Sequence, residues 1–482
     1  MSTKKIATST FWQLGSQVTM AALSILTVKF VAVGLSKELA GNYNSAYGFL
    51  QLFGILADFG LYAVAVREVS RSDRKEDVLG ALIILRSLML VFSLSIALIF
   101  VWLIPMWKGT PLPLSVTIAS LVPFFTLLAG IIRTVFQVNY KMHFVFIAEV
   151  AQRILTVIFI GLFILFGIRG SHDLHILHIF LFIGGIGAFL LFFLSLTYGN
   201  RLMKIRPHWD TDLLKQLTKS AAPFGIAFLC MALYRQFDVT LIALLRPDFE
   251  LQNAYYGFVV RMADMGFLIP TFLLNSTLPI LSERDANGED TRSLLGKTFL
   301  IILILGSISL LFSVLWSRPL IQLLTTDSYL STLTRPGSDT ALRLLGLPMF
   351  LNGIVIFGFY VLLTKLQWKR LVATLLVGVV ISLGLNFWLI PLHGFVGAAT
   401  VSIVVHFFLA VFLLKHSLKA MPFTLPNKQI GQWLLFSLIL GGGLWFAHPL
   451  LTSEIRTLIG LVIAALFMGI LVWITGLKKV LL

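Results

Sequence analysis

Of 482 residues, 58% are hydrophobic and 12% charged, half the charge of an ordinary soluble chain. Charge that sparse cannot cover a protein of this length in water, which excludes a soluble enzyme or binding module. Lys and Arg number 37 against 21 Asp and Glu, a formal net charge of +16. In a membrane protein the positive-inside bias and anionic headgroups account for that excess, so it does not point to nucleic acid.

In chain order, Lys4 and Lys5 precede a mostly apolar segment that runs to Leu35. That is too long for a signal-peptide core and predicts a retained first helix. Apolar stretches between polar breaks predict about fourteen spans. The first six lie near 11–35, 40–66, 78–105, 114–140, 143–168 and 174–199. The next six lie near 214–244, 253–281, 294–316, 340–365, 371–390 and 395–418, and two more near 429–447 and 458–477. Roughly 20 helical residues cross a hydrocarbon core of about 30 Å, and Ser87 to Trp107 or Thr298 to Ser317 pass without one Asp, Glu, Lys or Arg. With the N-terminus in the cytoplasm, connections on that side hold 23 Lys and Arg, Lys478 and Lys479 among them, against 8 on the other side. The bias places both termini in the cytoplasm, as an even number of spans requires.

An internal repeat divides the chain. Asn44-Ser-Ala-Tyr47-Gly48-Phe49 opens the second span, and Asn253-Ala-Tyr-Tyr256-Gly257-Phe258 opens the eighth, 209 residues later. Ala57-Asp58-Phe59-Gly60 is echoed by Ala263-Asp264-Met265-Gly266. Six spans separate the copies, so the halves share an orientation and their axis lies along the membrane normal. The expected architecture is an all-α polytopic membrane protein of about 14 transmembrane helices. Two pseudo-symmetric six-helix lobes, residues 1–206 and 207–420, are followed by two additional helices in 421–482.

Ten charges fall inside spans: the cations Lys29, Arg86, Arg133, Arg153, Arg235 and Arg261, and the carboxylates Asp58, Glu149, Asp238 and Asp264. At about 2.5–3.5 kcal/mol each near a helix centre, all ten facing lipid would cost roughly 25–35 kcal/mol. That exceeds the ~5–15 kcal/mol net stability of a typical fold. They must line water, pair with one another, or lie close to headgroups. Glu149 and Arg153 are four apart, while Arg235/Asp238 and Arg261/Asp264 are three apart, spacings that share a helix face. Lys29 and Arg235 occupy the first span of each half, and a matched cation in both halves would point at a shared axis. Arg86 and Arg133 stand near enough to span ends that snorkelling competes with function. A net cationic interior suits an anion, and the planar guanidinium fork matches the phosphates of a lipid diphosphate.

Several signals carry less. One cysteine, Cys230, excludes an internal disulfide and any multi-thiolate metal site. His172, His175 and His178, with Asp173, read as interfacial packing rather than a metal site. Gly184-Gly185-Ile-Gly187 and Gly441-Gly442-Gly443 read as close-packing surfaces. Gly296-Lys297-Thr298 matches the end of a P-loop, but Thr291 stands where that pattern needs glycine. No cofactor or metal is called for. The longest outer connection, 318–339, is too short for a catalytic domain, which argues against a membrane glycosyltransferase or polymerase.

The stretch from Tyr47-Gly48-Phe49 through Ala57-Asp58-Phe59-Gly60-Leu61 to Arg67-Glu68-Val69-Ser70-Arg71 resembles the second span of bacterial polysaccharide-synthesis flippases. These include O-antigen and other lipid-linked oligosaccharide flippases of the multidrug/oligosaccharidyl-lipid/polysaccharide (MOP) exporter superfamily. The resemblance implies two six-helix lobes in a V around a central cavity, in the bacterial cytoplasmic (inner) membrane. It also implies alternating access that carries an undecaprenyl-diphosphate-linked glycan to the outer leaflet, with no enzymatic step. By position in the span order, Lys29, Arg235 and Arg261 match the cationic cavity residues of such flippases. Asp58, Glu149, Arg153, Asp238 and Asp264 then serve as cavity ion pairs or coupling groups. The implied partners are the lipid-linked oligosaccharide, membrane lipid and polysaccharide polymerase machinery. A cation-coupled multidrug antiporter of the same superfamily is the alternative, weakened because the first span holds Lys29 and no acid.

Overall fold

The computed structural model describes residues 3–477, and among them the fold is helical throughout, with one isolated bridge between Leu35 and Ser171. Lys478 and Lys479, counted above with the cytoplasmic cations, lie outside the described residues. The chain packs as two compact units, Met1–Gly257 and Phe258–Leu482.

The first unit holds α1 (Thr3–Gly34), α2 (Lys37–Asp58), α3 (Leu61–Arg71), α4 (Lys75–Leu103), α5 (Leu112–Ala119) and α6 (Leu121–Val138). It continues through α7 (His143–Leu165), α8 (Leu174–Leu202), α9 (Thr211–Arg235) and α10 (Asp238–Leu245) into the start of α11 (Phe249–Ala286). Side chains cap several starts: Ser36 accepts from the Leu39 amide, Asp173 from the His175 amide at 2.8 Å, and Asp210 from Asp212 and Leu213. Asp173, beside the three histidines, is thus the cap of α8. Helices α1 and α7, α6 and α8, and α7 and α8 pack together, and α2 packs on α4. Gly187 lets α8 approach α7, since a Cβ there would stand 2.7 Å from the Thr156 hydroxyl. Helices α9 and α10 pack on α2, and α9 also on α3 and α4. The division by packing therefore lies beyond the one that the repeat puts after residue 206.

The second unit holds the rest of α11, then α12 (Arg292–Leu315), α13 (Ser317–Leu324), α14 (Ser338–Thr364), α15 (Trp368–His393), α16 (Phe395–Ala420), α17 (Asn427–Ala447) and α18 (Glu454–Ile474). Buried α14 lies against α12 and α16, while α17 packs on α12 and α18 on α17. The Trp316 indole donates to the Leu444 carbonyl at 2.8 Å and the Trp433 indole to the Ser307 hydroxyl at 2.9 Å, so α17 is tied to α12 and its end by directed bonds. Gly296-Lys297-Thr298 lies inside α12, not on a loop, so it cannot cradle a phosphate.

Eleven helical spans among the described residues are long and apolar enough to cross a membrane. They coincide with eleven of the fourteen expected; the other three expectations fall on α1, on α2 with α3, and on α11. Outward-facing Val380, Phe387, Trp388, Leu438, Phe446 and Trp473 give these spans an exterior suited to hydrocarbon.

Candidate functional site

The first unit concentrates charge around a break in a helix. Helix α2 ends at Asp58, and both following residues take left-handed backbone, Phe59 at φ 36° and Gly60 at φ 73°, before α3 restarts at Leu61. Left-handed backbone disfavours any residue with a Cβ, so Phe59 is held there by its surroundings. A Cβ on Gly60 would stand 2.6 Å from the Gly225 nitrogen of α9, so only glycine permits this contact.

Asp58 pairs with Arg86 of α4. Arg86 lies 11 residues into its helix, about 17 Å along it, and is 5% exposed. It does not snorkel. Gly130 of α6 makes room for it, because a Cβ there would come within 3.3 Å of the guanidinium. One layer away, Arg133 of α6 donates to Glu149 of α7 at 2.8 Å, and Ser16 of α1 donates to the same carboxylate. Glu149, whose spacing to Arg153 predicts a bond along α7, is reached from two other helices. Asp58, Arg86, Arg133 and Glu149 line one cavity of about 320 Å³. Thr126 and Ser195 add hydroxyls, and Phe136, Val145 and Leu191 give part of its wall a hydrocarbon surface.

The other expected residues do not line this cavity. Lys29 is half-buried on α1, Arg153 is half-buried on α7, and Arg235 is the last residue of α9. Asp238 opens α10, is 6% exposed and accepts from the Tyr256 hydroxyl at 2.6 Å. The chain leaves the helix at Gln236 and Phe237, so Arg235 and Asp238 do not share one continuous helix face as their spacing predicts. Arg261 and Asp264 are half-buried on the part of α11 that belongs to the second unit. Among the described residues no group of three His, Cys, Asp or Glu is placed to hold a metal ion.

The two copies of the Asn-Tyr-Gly segment meet. Asn44 Nδ2 donates to the Asn253 carbonyl at 3.1 Å, and Asn253 Nδ2 donates to Ser45 Oγ at 2.9 Å. A Cβ on Gly257 would stand 2.5 Å from Asn44 Cβ, and one on Gly41 would overlap the Glu250 carbonyl. Small residues let α2 and the start of α11 approach backbone to backbone, as in tightly packed membrane helices.

Residues 6–285, more than half of the chain, match the model of a family described as polysaccharide biosynthesis protein. The chain belongs to this family. No curated protein sequence matches it, but solved structures show the fold that this family member adopts. A lipid II flippase, MurJ, in an inward closed conformation is 17% identical with a TM-score of 0.73, over 98% of this chain and 99% of that one. An inward-facing multidrug resistance transporter of the MATE family, from the MOP superfamily, is 10% identical with a TM-score of 0.66, over 86% and 98%. A MOP superfamily transporter from Pyrococcus furiosus is 11% identical with a TM-score of 0.52, over 91% and 93%. The polysaccharide biosynthesis chain is thus a multi-pass membrane protein with a fold that flippases and exporters of the MOP superfamily share.

Proposed function

We propose that this family member is a flippase that carries an undecaprenyl-diphosphate-linked oligosaccharide, an O-antigen or related surface polysaccharide unit, across the cytoplasmic membrane by alternating access. Two six-helix lobes alternate, the glycan headgroup moves through a hydrated basic interior, and the polyprenyl tail stays in lipid. Lys29, Arg235 and Arg261 bind the diphosphate; Arg153, Asp238 and Asp264 take part in ion pairs of that interior or couple the cycle to an ion. Both termini lie in the cytoplasm, and polysaccharide polymerase machinery receives the product.

One observation carries the choice of a lipid-linked substrate over a small organic cation. The likeness to the lipid II flippase extends over 98% of the chain. The likeness to the multidrug transporter covers 86%, leaving out roughly the share that α17 and α18 occupy with their flanks. A transporter of small soluble cations has no evident need for an additional helix pair beyond the twelve. We read the pair as a surface along which the lipid-borne polyprenyl tail lies.

The test is deletion of the reading frame, complemented by the wild-type chain and by Arg261→Ala. Complementation should restore surface polysaccharide, and Arg261→Ala should lose it at unchanged protein abundance. Full polysaccharide from Arg261→Ala would remove that residue from the site. Export of small organic cations by the purified protein, with no response to lipid-linked glycan, would favour the antiporter.

A further inference from the structure

None of the cations assigned to the diphosphate lines the cavity inside the first unit, and its charge balance selects a different ligand. Each guanidinium already faces a carboxylate, Arg86 with Asp58 and Arg133 with Glu149. A phosphate would have to share each arginine it engaged with a carboxylate already bonded to it, against that carboxylate's negative charge. What remains is a lining with no net charge among these four, rich in planar bidentate donors and acceptors, with the hydroxyls of Thr126 and Ser195 beside them. Phe136, Val145 and Leu191 complete it with hydrocarbon. A neutral ring with hydroxyls around its edge and C–H groups on its faces satisfies both kinds of surface. The volume, about 320 Å³, lies at the lower end of the ~300–1,000 Å³ typical of ligand pockets, which suits one sugar ring and not a chain of them.

We infer that this cavity, between α2, α4, α6, α7 and α8, is a monosaccharide subsite that recognises a neutral sugar ring of the lipid-linked glycan. The inference rests on the flippase reading. It deepens it by separating recognition of the sugar, in this cavity, from recognition of the diphosphate by Lys29, Arg235 and Arg261. Ser16 acts as a positioning residue: its hydroxyl holds one oxygen of Glu149 while Arg133 holds the other.

The experiment measures binding of two lipids to the purified full chain in nanodiscs. One is the polyprenyl-diphosphate glycan extracted from the cells that make this protein, the other bare undecaprenyl diphosphate. The wild type should prefer the glycosylated lipid by at least about tenfold, the scale of one or two charge-assisted hydrogen bonds. Glu149→Gln and the milder Thr126→Val should reduce that ratio toward one, with affinity for the bare lipid unchanged. A structural role is separated by the swap Arg133→Glu with Glu149→Arg, which keeps an ion pair between α6 and α7. The swap should restore thermal stability without restoring the sugar preference. Equal affinity of the wild type for the two lipids overturns the subsite and leaves the flippase reading standing. So does a preference that survives Glu149→Gln and Thr126→Val together. Failure of the wild type to bind either lipid overturns the flippase reading itself.

Discussion

Ala57-Asp58-Phe59-Gly60 and Ala263-Asp264-Met265-Gly266 spell nearly the same letters and adopt different backbones. The first terminates α2 in two left-handed residues; the second sits inside an uninterrupted 38-residue helix. The first spans of the two halves reverse this, since α1 runs unbroken through Lys29 while its counterpart breaks after Arg235 into α9 and α10. Glycine permits a break without imposing one. At Gly60 the left-handed turn brings the chain against the backbone of Gly225, whereas at Gly266 the missing Cβ only makes room for the end of the Met349 side chain. The helix ends where a neighbouring backbone can receive the turn.

Substitution at the two glycines sharpens this most. Gly60→Ala forces a Cβ into left-handed backbone and against the Gly225 nitrogen, so it should destabilise by roughly 3 kcal/mol or more. Gly266→Ala meets a flexible thioether and gains helix propensity, so it should stay within about 1 kcal/mol of wild type. Thermal unfolding in detergent reads both, and equal losses would mean that the break has no special hold on the fold.

A second comparison sets buried charge against exposed charge. Arg86→Leu leaves Asp58 facing a low-dielectric interior and should cost about 3–5 kcal/mol, most of it recovered by adding Asp58→Asn. The Arg74–Asp77 pair, whose arginine side chain is 71% exposed, should contribute less than about 1 kcal/mol in the same double-mutant cycle. Comparable coupling energies would show that the interior pair is hydrated as freely as the surface one.

The smallest expected effect concerns pH. In the connection between α10 and α11, burial pushes the Asp248 carboxyl up, but hydrogen bonds from Arg246 and Gln252 outweigh it and hold the carboxyl below its ordinary range. Its stabilising share is present above the unfolded value near pH 4 and fades as pH falls through the lower folded value. Asp248→Asn should therefore narrow the stability gap between neutral and acidic pH by a fraction of 1 kcal/mol, because the pair is partly solvated. An unchanged or widened gap in unfolding scans would reverse that sign.

Much of this was legible as pattern. Hydropathy marks the spans, and eleven helical spans among the described residues satisfy it outright. The improbability of charge at span depth marks all four charged residues of the cavity. Their pairing was not legible: helical spacing predicts partners three or four residues away, whereas Asp58 and Arg86 are 28 apart and Ser16 and Glu149 are 133 apart. Arg86 in particular reads from the sequence as a residue that could reach headgroups, and the tertiary pairing with Asp58, in the space that Gly130 leaves, holds it inward.

By itself the sequence determined that this chain lives in lipid, how its apolar helices follow one another, and which buried charges demand an explanation. These follow from transfer free energies, which depend on residue type and local order. The tertiary structure decided which charges meet, where a repeated motif breaks its helix, and which charges share a cavity. Those outcomes depend on contacts between helices far apart in the chain, and no local rule encodes them.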